Sequence, residues 1–390
     1  MSGTAPTYPF SEPEGLTLDP AYTRLRRDEP VTWVKFPHGG EGWLVTTYKE
    51  ARFVYGDPRF SKAQAGRDVP RMLSNASPSR SIAATDGADH ARLRRLTFYA
   101  FTGRRAEELR PRIQEITDDL LDHLDNPDDL VPSFNSSLPV TVMCELLGVP
   151  FEDRADFQQW AEISASVGGH TPEEAADGMA KLAGYVTDLV AQRRAKPTDD
   201  LLGALVAARD DGDMLTDQEI VSFGMAMLIG GHQTITNQLG NIIVTLLDRP
   251  EAMAQLRDEP ELLPGAIEEL LRFVPLLSGA ALTRVATEDV RVGNVTVKKD
   301  DAVLVSLTSA NRDESAFEQP DELDLHREDA HHLAFGHGSH YCPGAQLART
   351  QLQVGLGTLL RRFPGLQLAE PVEFKKGSPH RGPRKLVVTW

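Results

Sequence analysis

Apolar positions recur at helical spacing through the middle of the chain and alternate with polar ones on both flanks. Over about the first 60 residues, the runs VTWVKF and GWLVTTY alternate in the manner of strands and predict a small sheet. From about 90 to 275 the period is mostly helical. Residues 106–124 place Leu109, Ile113, Ile116, Leu120, Leu121 and Leu124 at that spacing, and residues 179–194 do so with Leu182, Val186, Leu189 and Val190. The segment DDLLGALVAARDDGD reads as a helix with polar ends. The longest predicted helix runs from about Thr216 to Leu247. Thr216 and Glu219 stand at capping-box spacing at its start, and Pro250 cannot continue its ladder. At about 1.5 Å per residue it would span roughly 48 Å. Its MAMLIGG stretch is apolar nearly all round and is expected to be buried. A further helix, PGAIEELLRF, ends near Pro275. VRVGNVTV and AVLVSL then alternate as strands, a last helix runs from just after Cys342 to Arg362, and RKLVVTW closes the chain as a strand.

No repeat, low-complexity tract or linker divides this pattern. It reads as one domain over 1–390, mainly α with a smaller β region. The β-rich parts are expected at about 20–60, 280–330 and 365–390, and the helical parts at about 85–275 and 343–363. An apolar share of 41% in 390 residues supports a large core and excludes disorder as the main state. No run approaches the roughly 18 to 20 apolar residues of a membrane span. The polar, Pro-rich opening MSGTAPTYPFSEPEG lacks the basic flank and apolar run of an export signal, so a cytoplasmic protein is expected. Lys and Arg number 41 against 57 Asp and Glu, a net charge of -16 that argues against general nucleic-acid binding. With only Cys144 and Cys342, a disulfide framework and a four-cysteine zinc site are both excluded.

The segment HLAFGHGSHYCPGAQLAR concentrates the chemistry. Gly336, Gly338 and Gly344 suit tight turns and the close approach of a flat ligand. Cys342 stands before a helix, where unpaired N–H groups and the helix dipole favour a thiolate. Such a thiolate is a nucleophile or a metal ligand, against the bland alternative of an inert buried cysteine. As a nucleophile it would want a base, for which His337 and His340 are candidates.

The spacing Phe335-x-x-Gly338-x-x-x-Cys342-x-Gly344 resembles the haem-binding loop of the cytochrome P450 family. Other segments match in order. Glu269-x-x-Arg272 is similar to the family's structural Glu/Arg pair, GGHQTITN to its oxygen-activation segment, DGADHARLRRLTFYAFT to its haem-propionate helix, and ATEDVRVGNVTVKKDDAVLVSLTSANRD to its strand region. The resemblance covers about residues 20 to 390 and implies the P450 fold, a triangular helical prism around haem b. It makes Cys342 the axial thiolate on iron, which favours O–O cleavage. It places Phe335 beside the sulfur, and Gly231, Gly338 and Gly344 close to the macrocycle. His90, Arg94, Arg284 and His340 become the cations at the propionates. Thr234 becomes the residue that helps deliver protons to bound dioxygen. Glu269 and Arg272 read as scaffold.

Two departures stand out. The family commonly has an acid before the threonine, and here the residue is Gln233, whose amide orients water but exchanges no proton at an accessible pKa. The relay is therefore expected to lean on ordered water or on substrate groups. Pro343 follows the cysteine and has no N–H to offer its sulfur.

The implied activity is a haem-thiolate monooxygenase that uses O2 and two electrons to hydroxylate or epoxidise a medium-sized organic molecule in secondary metabolism, such as antibiotic biosynthesis. The rival is oxidative C–C or C–N coupling or ring closure of an aromatic substrate, and a haem protein without turnover is the remaining alternative. With no Rossmann or flavin motif in the chain, ferredoxin and ferredoxin reductase are the expected donors. Arg92, Arg94, Arg95, Arg104 and Arg105 would form a basic patch for an acidic ferredoxin. Family position puts the substrate pocket at Met72, Ile82, Ala83, Trp160, Val167, Leu228, Leu277, Ala280 and His380. No nucleic-acid or membrane partner is expected.

Overall fold

A computed structural model describes residues 5–12, 14–66, 68–72, 82–98, 103–165, 171–210, 213–279, 283–328 and 330–390. The chain groups into two compact units. The first comprises Met1–Asp89, Pro264–Cys342 and Pro379–Arg381, and the second His90–Leu263, Pro343–Ser378 and Gly382–Trp390.

The first unit is built on a five-stranded sheet, in spatial order Val31–Lys35, Glu41–Val45, Ala302–Val305, Arg284–Ala286 and Phe60–Ser61. The first two strands pair antiparallel with Trp33 opposite Trp43, their rings edge-on at 4.9 Å. Alternation along each strand supplies two cores. Val31, Val45, Val303 and Val305 pack with Val54 and Tyr55 of the helix Tyr48–Gly56 on one face. Val34, Leu44, Val285 and Leu304 pack with Tyr8, Tyr22 and Leu25 on the other. Ala302–Val305 is buried at every residue, which explains its unbroken apolar run. VRVGNVTV, read as a strand run, forms a hairpin, Val290–Val292 with Val295–Val297, turning at Gly293 with φ +54°.

Glu269 and Arg272, on the helix Leu263–Phe273, are buried and doubly bonded, Nε to Oε2 at 2.7 Å and Nη2 to Oε1 at 2.8 Å. Arg327 Nε and the Asp324 N–H also donate to Glu269, at 3.0 Å each. Arg272 donates onward to the carbonyls of Asn311, Pro320 and Glu322. Two buried charges with all these bonds met fix the path of residues 311–327 more than they add to stability. That stretch leads into the Cys342 loop.

The second unit surrounds the 31-residue helix Asp217–Leu247. The helices Ser137–Leu147, Pro172–Ala195 and Ala345–Arg362 and the π-helical turn Val131–Ser136 pack against it. The capping box is present: Glu219 N–H donates to Thr216 Oγ1 at 3.2 Å, and Thr216 N–H to Glu219 Oε2 at 2.8 Å. The closing segment, read as one strand, forms two, Pro383–Lys385 and Val387–Thr389, the latter pairing with a short strand, Asp128–Asp129, that periodicity does not reveal.

Two helix expectations need correction. The helix read over 106–124 is two, Gly103–Glu108 and Arg110–Asp122, parted at Leu109. Pro111, in the first turn of the second helix, has no N–H to donate back to Glu107, so the ladder is interrupted there. DDLLGALVAARDDGD is helical only over Leu201–Ala207, capped by Asp200 accepting from Gly203 N–H at 2.8 Å. The remainder is a small hairpin, Arg209–Asp210 with Asp213–Met214, around an Asp-Gly dipeptide, which is a stronger turn signal than the helical period it interrupts.

Candidate functional site

In the first unit, the Cys342 loop is tied down on both sides. Leu333 N–H donates to Asn311 Oδ1 at 2.7 Å, Gly336 N–H to Leu333 O at 2.8 Å, and Cys342 N–H to Phe335 O at 2.9 Å. Gly336 and Gly338 have φ of +74° and +71°. A Cβ on Gly338 would lie 2.5 Å from Tyr55 O, so glycine lets the loop settle on the helix Tyr48–Gly56. His337 rests its ring over Gly56, and His340 Nε2 sits 3.4 Å from Asp86 Oδ1. The two histidines read as bases for a nucleophile are thus engaged at other groups. Cys342 is half-buried and in no disulfide.

The same unit gathers charge around Arg284. This residue is buried, lies 4.6 Å over the Tyr55 ring and donates Nη1 to Phe60 O at 3.3 Å, while its Nε is buried with no hydrogen-bond partner. Tyr55 is pushed up to about 12 by burial, against the pull of Arg284. Lys62 is pulled down to about 8 by burial and by Arg284, with Asp86 opposing. Burial favours the neutral form of Asp86, but hydrogen bonds from Ser61 Oγ, the Ala63 and Lys62 N–H groups and His340 outweigh it and hold the carboxyl below its ordinary value. Arg284, Lys62 and His340 therefore surround a single carboxylate, and the cluster carries donors suited to an anion. Lys62 and Asp86 escape sequence reading; the Ser61-Lys62-Ala63 turn that wraps Asp86 is the signal, and it is visible only in space.

In the second unit, Thr234 donates Oγ1 to Gly230 O at 2.5 Å, a back-bond onto the preceding turn. Around it, a helix otherwise buried over most of its length is open: Ile229 is 42% exposed and Gly230 faces free space. Gly231 differs from its neighbour. A Cβ there would lie 3.1 Å from Met143 Sδ, so packing against Ser137–Leu147 is enough to require its small size. Gln233 is half-buried. Gly344 has φ -85°, open to any residue, so a glycine-only turn is not what it provides; a Cβ there would touch Met227 at 3.4 Å. His90, buried, and Arg94, half-buried, lie one turn apart on Gly87–Phe98.

The expected pocket residues divide between the units. In the first, Met72 packs on the Tyr8 core beside Gly279, Leu277 bridges to His380, and Ile82 and Ala83 lie in a short turn, Ile82–Ala84. In the second, Leu228 is buried and Trp160 sets its ring edge-on to Tyr185 at 6.0 Å, a packing role. Val167 and Ala280 lie outside the described residues. The basic segment is partly neutralised. Arg92 pairs with Asp213 and with Glu219, the latter at 2.7 Å; Arg104 pairs with Glu108 at 2.8 Å; and Arg105 donates to Asp199 O at 2.9 Å.

Comparison with known proteins gives consistent matches. The family model "Cytochrome P450" matches residues 167–376. The chain is 48% identical to a nocardicin C N-oxygenase of Nocardia uniformis subsp. tsuyamanensis and 44% identical to a mycinamicin IV hydroxylase/epoxidase of Micromonospora griseorubida, over 98% of each chain in both cases. It is similar to the crystal structure of the LnmA cytochrome P450 hydroxylase from the leinamycin biosynthetic pathway of Streptomyces atroolivaceus S-140, with 46% identity, TM-score 0.94, and coverage of 98% of this chain and 100% of that one. Among the described residues, no helix is long and apolar enough to cross a membrane.

Proposed function

The chain belongs to the cytochrome P450 family of haem-thiolate monooxygenases, and from there we propose that it hydroxylates or epoxidises a medium-sized, partly polar organic molecule in a secondary-metabolite tailoring step, using haem b and electrons from a ferredoxin and its reductase. The observation that carries this reading is Cys342, fixed by protein bonds at the end of its glycine loop, in the same unit as an arginine with an unpartnered buried Nε. The residues fit the cofactor: a propionate would give Arg284 Nε the acceptor it lacks, beside Lys62 and His340.

When bound, haem supplies an iron that activates dioxygen. Cys342 Sγ would be its protein ligand, with Phe335 limiting access of water to the sulfur. Arg284, His340, His90 and Arg94 would neutralise the propionates. Gly338 sets the loop against Tyr48–Gly56 and so fixes where Cys342 stands. Gly230 leaves room on the long helix, and the Thr234 hydroxyl, held on Gly230 O, can pass a proton while keeping its own position. Gln233 can orient water beside it. The relatives' names support oxygen insertion, since they describe an N-oxygenase and a hydroxylase/epoxidase.

The test is spectroscopic. The reduced protein under carbon monoxide should show the far-red Soret band of anionic sulfur ligation, and Cys342→Ala should lose it. A substrate library read by Soret blue shift should then yield a ligand whose product gains one oxygen. Retention of pigment and activity by Cys342→Ala overturns the site. A product lighter by two hydrogens overturns oxygen insertion in favour of coupling.

A further inference from the structure

Oxygen insertion consumes protons: RH + O2 + 2e⁻ + 2H⁺ gives ROH + H2O, with the electrons delivered by the external protein donor. Gln233 cannot supply them. A polar seam in the second unit lies along the helix face that carries Gly230, Gln233, Thr234 and Asn237, residues spaced three and four apart. Asn237 donates Nδ2 to Gln233 O at 2.7 Å, and its Oδ1 accepts from Lys375 Nζ at 2.8 Å. Lys375 is half-buried, just past the strand Glu373–Phe374, and its N–H donates to Gly382 O at 2.9 Å. Gly382 has to lack a Cβ, because one would overlap Asn237.

Next to this contact, Asn135 is fully buried and neither its Nδ2 nor its Oδ1 has a hydrogen-bond partner. Its Nδ2 lies 3.0 Å from where a Cβ on Gly240 would stand, beside Pro383. A buried amide unmet on both atoms calls for water, and the wide π-helical turn Val131–Ser136 turns it inward. The adjacent Ser136 Oγ sits 3.0 Å from His232 Nε2. Asn135, Ser136, His232, Asn237 and Lys375 thus form one polar seam between the long helix, the π-helical turn and the final hairpin.

Resting on the monooxygenase reading, we propose that Lys375 is the proton-loading residue of this enzyme, taking protons from solvent and passing them, through water held at Asn135 and Asn237, to the helical turn of Gln233 and Thr234. Lys375 cycles between ammonium and amine, and no group of the chain is oxidised. Its surroundings suit that cycle. Burial pulls Lys375 below its ordinary value. The long helix faces it with His232, which burial and Lys375 itself hold at about 4, and so neutral. On the hairpin, Glu373 is paired with Arg384, and the π-helical turn VPSFNS has no charged residue. Because its pKa is lowered, Lys375 loses its proton as pH rises through the alkaline range, and proton delivery falls with it.

The experiment uses the full-length holoenzyme with a substrate from the library. Lys375→Gln keeps a donor for Asn237 but carries no proton. It should keep the carbon-monoxide band and the substrate Soret shift, lose product formed per electron pair by about tenfold with peroxide making up the difference, and abolish the alkaline limb of the pH profile. Lys375→Arg keeps the charge and a donor, but its guanidinium gives up no proton, so it too should lose coupling and the alkaline limb. Independently of turnover, NMR of methylated lysines should show Lys375 titrating below the exposed lysines. Unchanged coupling and pH profile in Lys375→Gln, or titration of Lys375 with the surface lysines, overturns the proposal. Should Lys375→Gln not fold, the Lys375→Arg profile and the titration decide. Failure of the family reading is separate, since the unmutated protein would then lack the carbon-monoxide band.

Discussion

Gly231, Gly338 and Gly344 read alike in the sequence, yet space gives each a different reason. Gly338 holds φ +71° with Tyr55 O where a methyl would go; Gly231 makes way for Met143; Gly344 adopts ordinary backbone. Gly338→Ala should therefore cost about 2 kcal/mol in strain and displace Cys342, seen as a lower urea midpoint together with decay of the far-red band. Gly344→Ala should leave the unfolding free energy from urea titration within about 0.5 kcal/mol of the parent. The glycine loop that ends at Cys342, the back-bond of Thr234 and the Glu269–Arg272 pair were legible because the residue type and spacing of each carry its local geometry. Lys62, Asp86 and Asn135 were not, because a lysine in a turn, an aspartate before a helix and an asparagine before a serine look ordinary until folding removes their water.

Helices with marked ends were the readable elements. Thr216 and Glu219 announce the long helix, and both reciprocal bonds form. Thr216→Ala should lower the unfolding free energy by about 1 kcal/mol in urea titration, with no change in the carbon-monoxide spectrum. The elements that resisted reading were those where a local turn signal competes with a helical period. Pro111 breaks one expected helix, the Asp-Gly dipeptide shortens another, and the π-helical turn at Val131–Ser136 has no periodic signature of its own.

For the whole molecule, the absence of a linker has a topological cause: the chain passes between its two units five times, at 89/90, 263/264, 342/343, 378/379 and 381/382, so no single stretch could separate them. Charge behaves similarly. The net -16 predicts repulsion of an acidic electron donor, while five arginines between 92 and 105 predict local attraction. Pairing of Arg92 and Arg104 with carboxylates tempers the attraction. Stopped-flow reduction by a ferredoxin should slow as salt rises from low to physiological strength, but by only about two- to five-fold. An increase with salt would show that the net charge dominates.

Arg92 is also where three segments meet, since Asp213 of the small hairpin and Glu219 of the capping box both hold its guanidinium. With two carboxylates on one guanidinium, removal of Arg92 leaves both acids unpaired, whereas loss of either acid leaves the other in place. The helix bearing His90 and Arg94 consequently inherits its orientation from the same lock as the helix bearing Thr234.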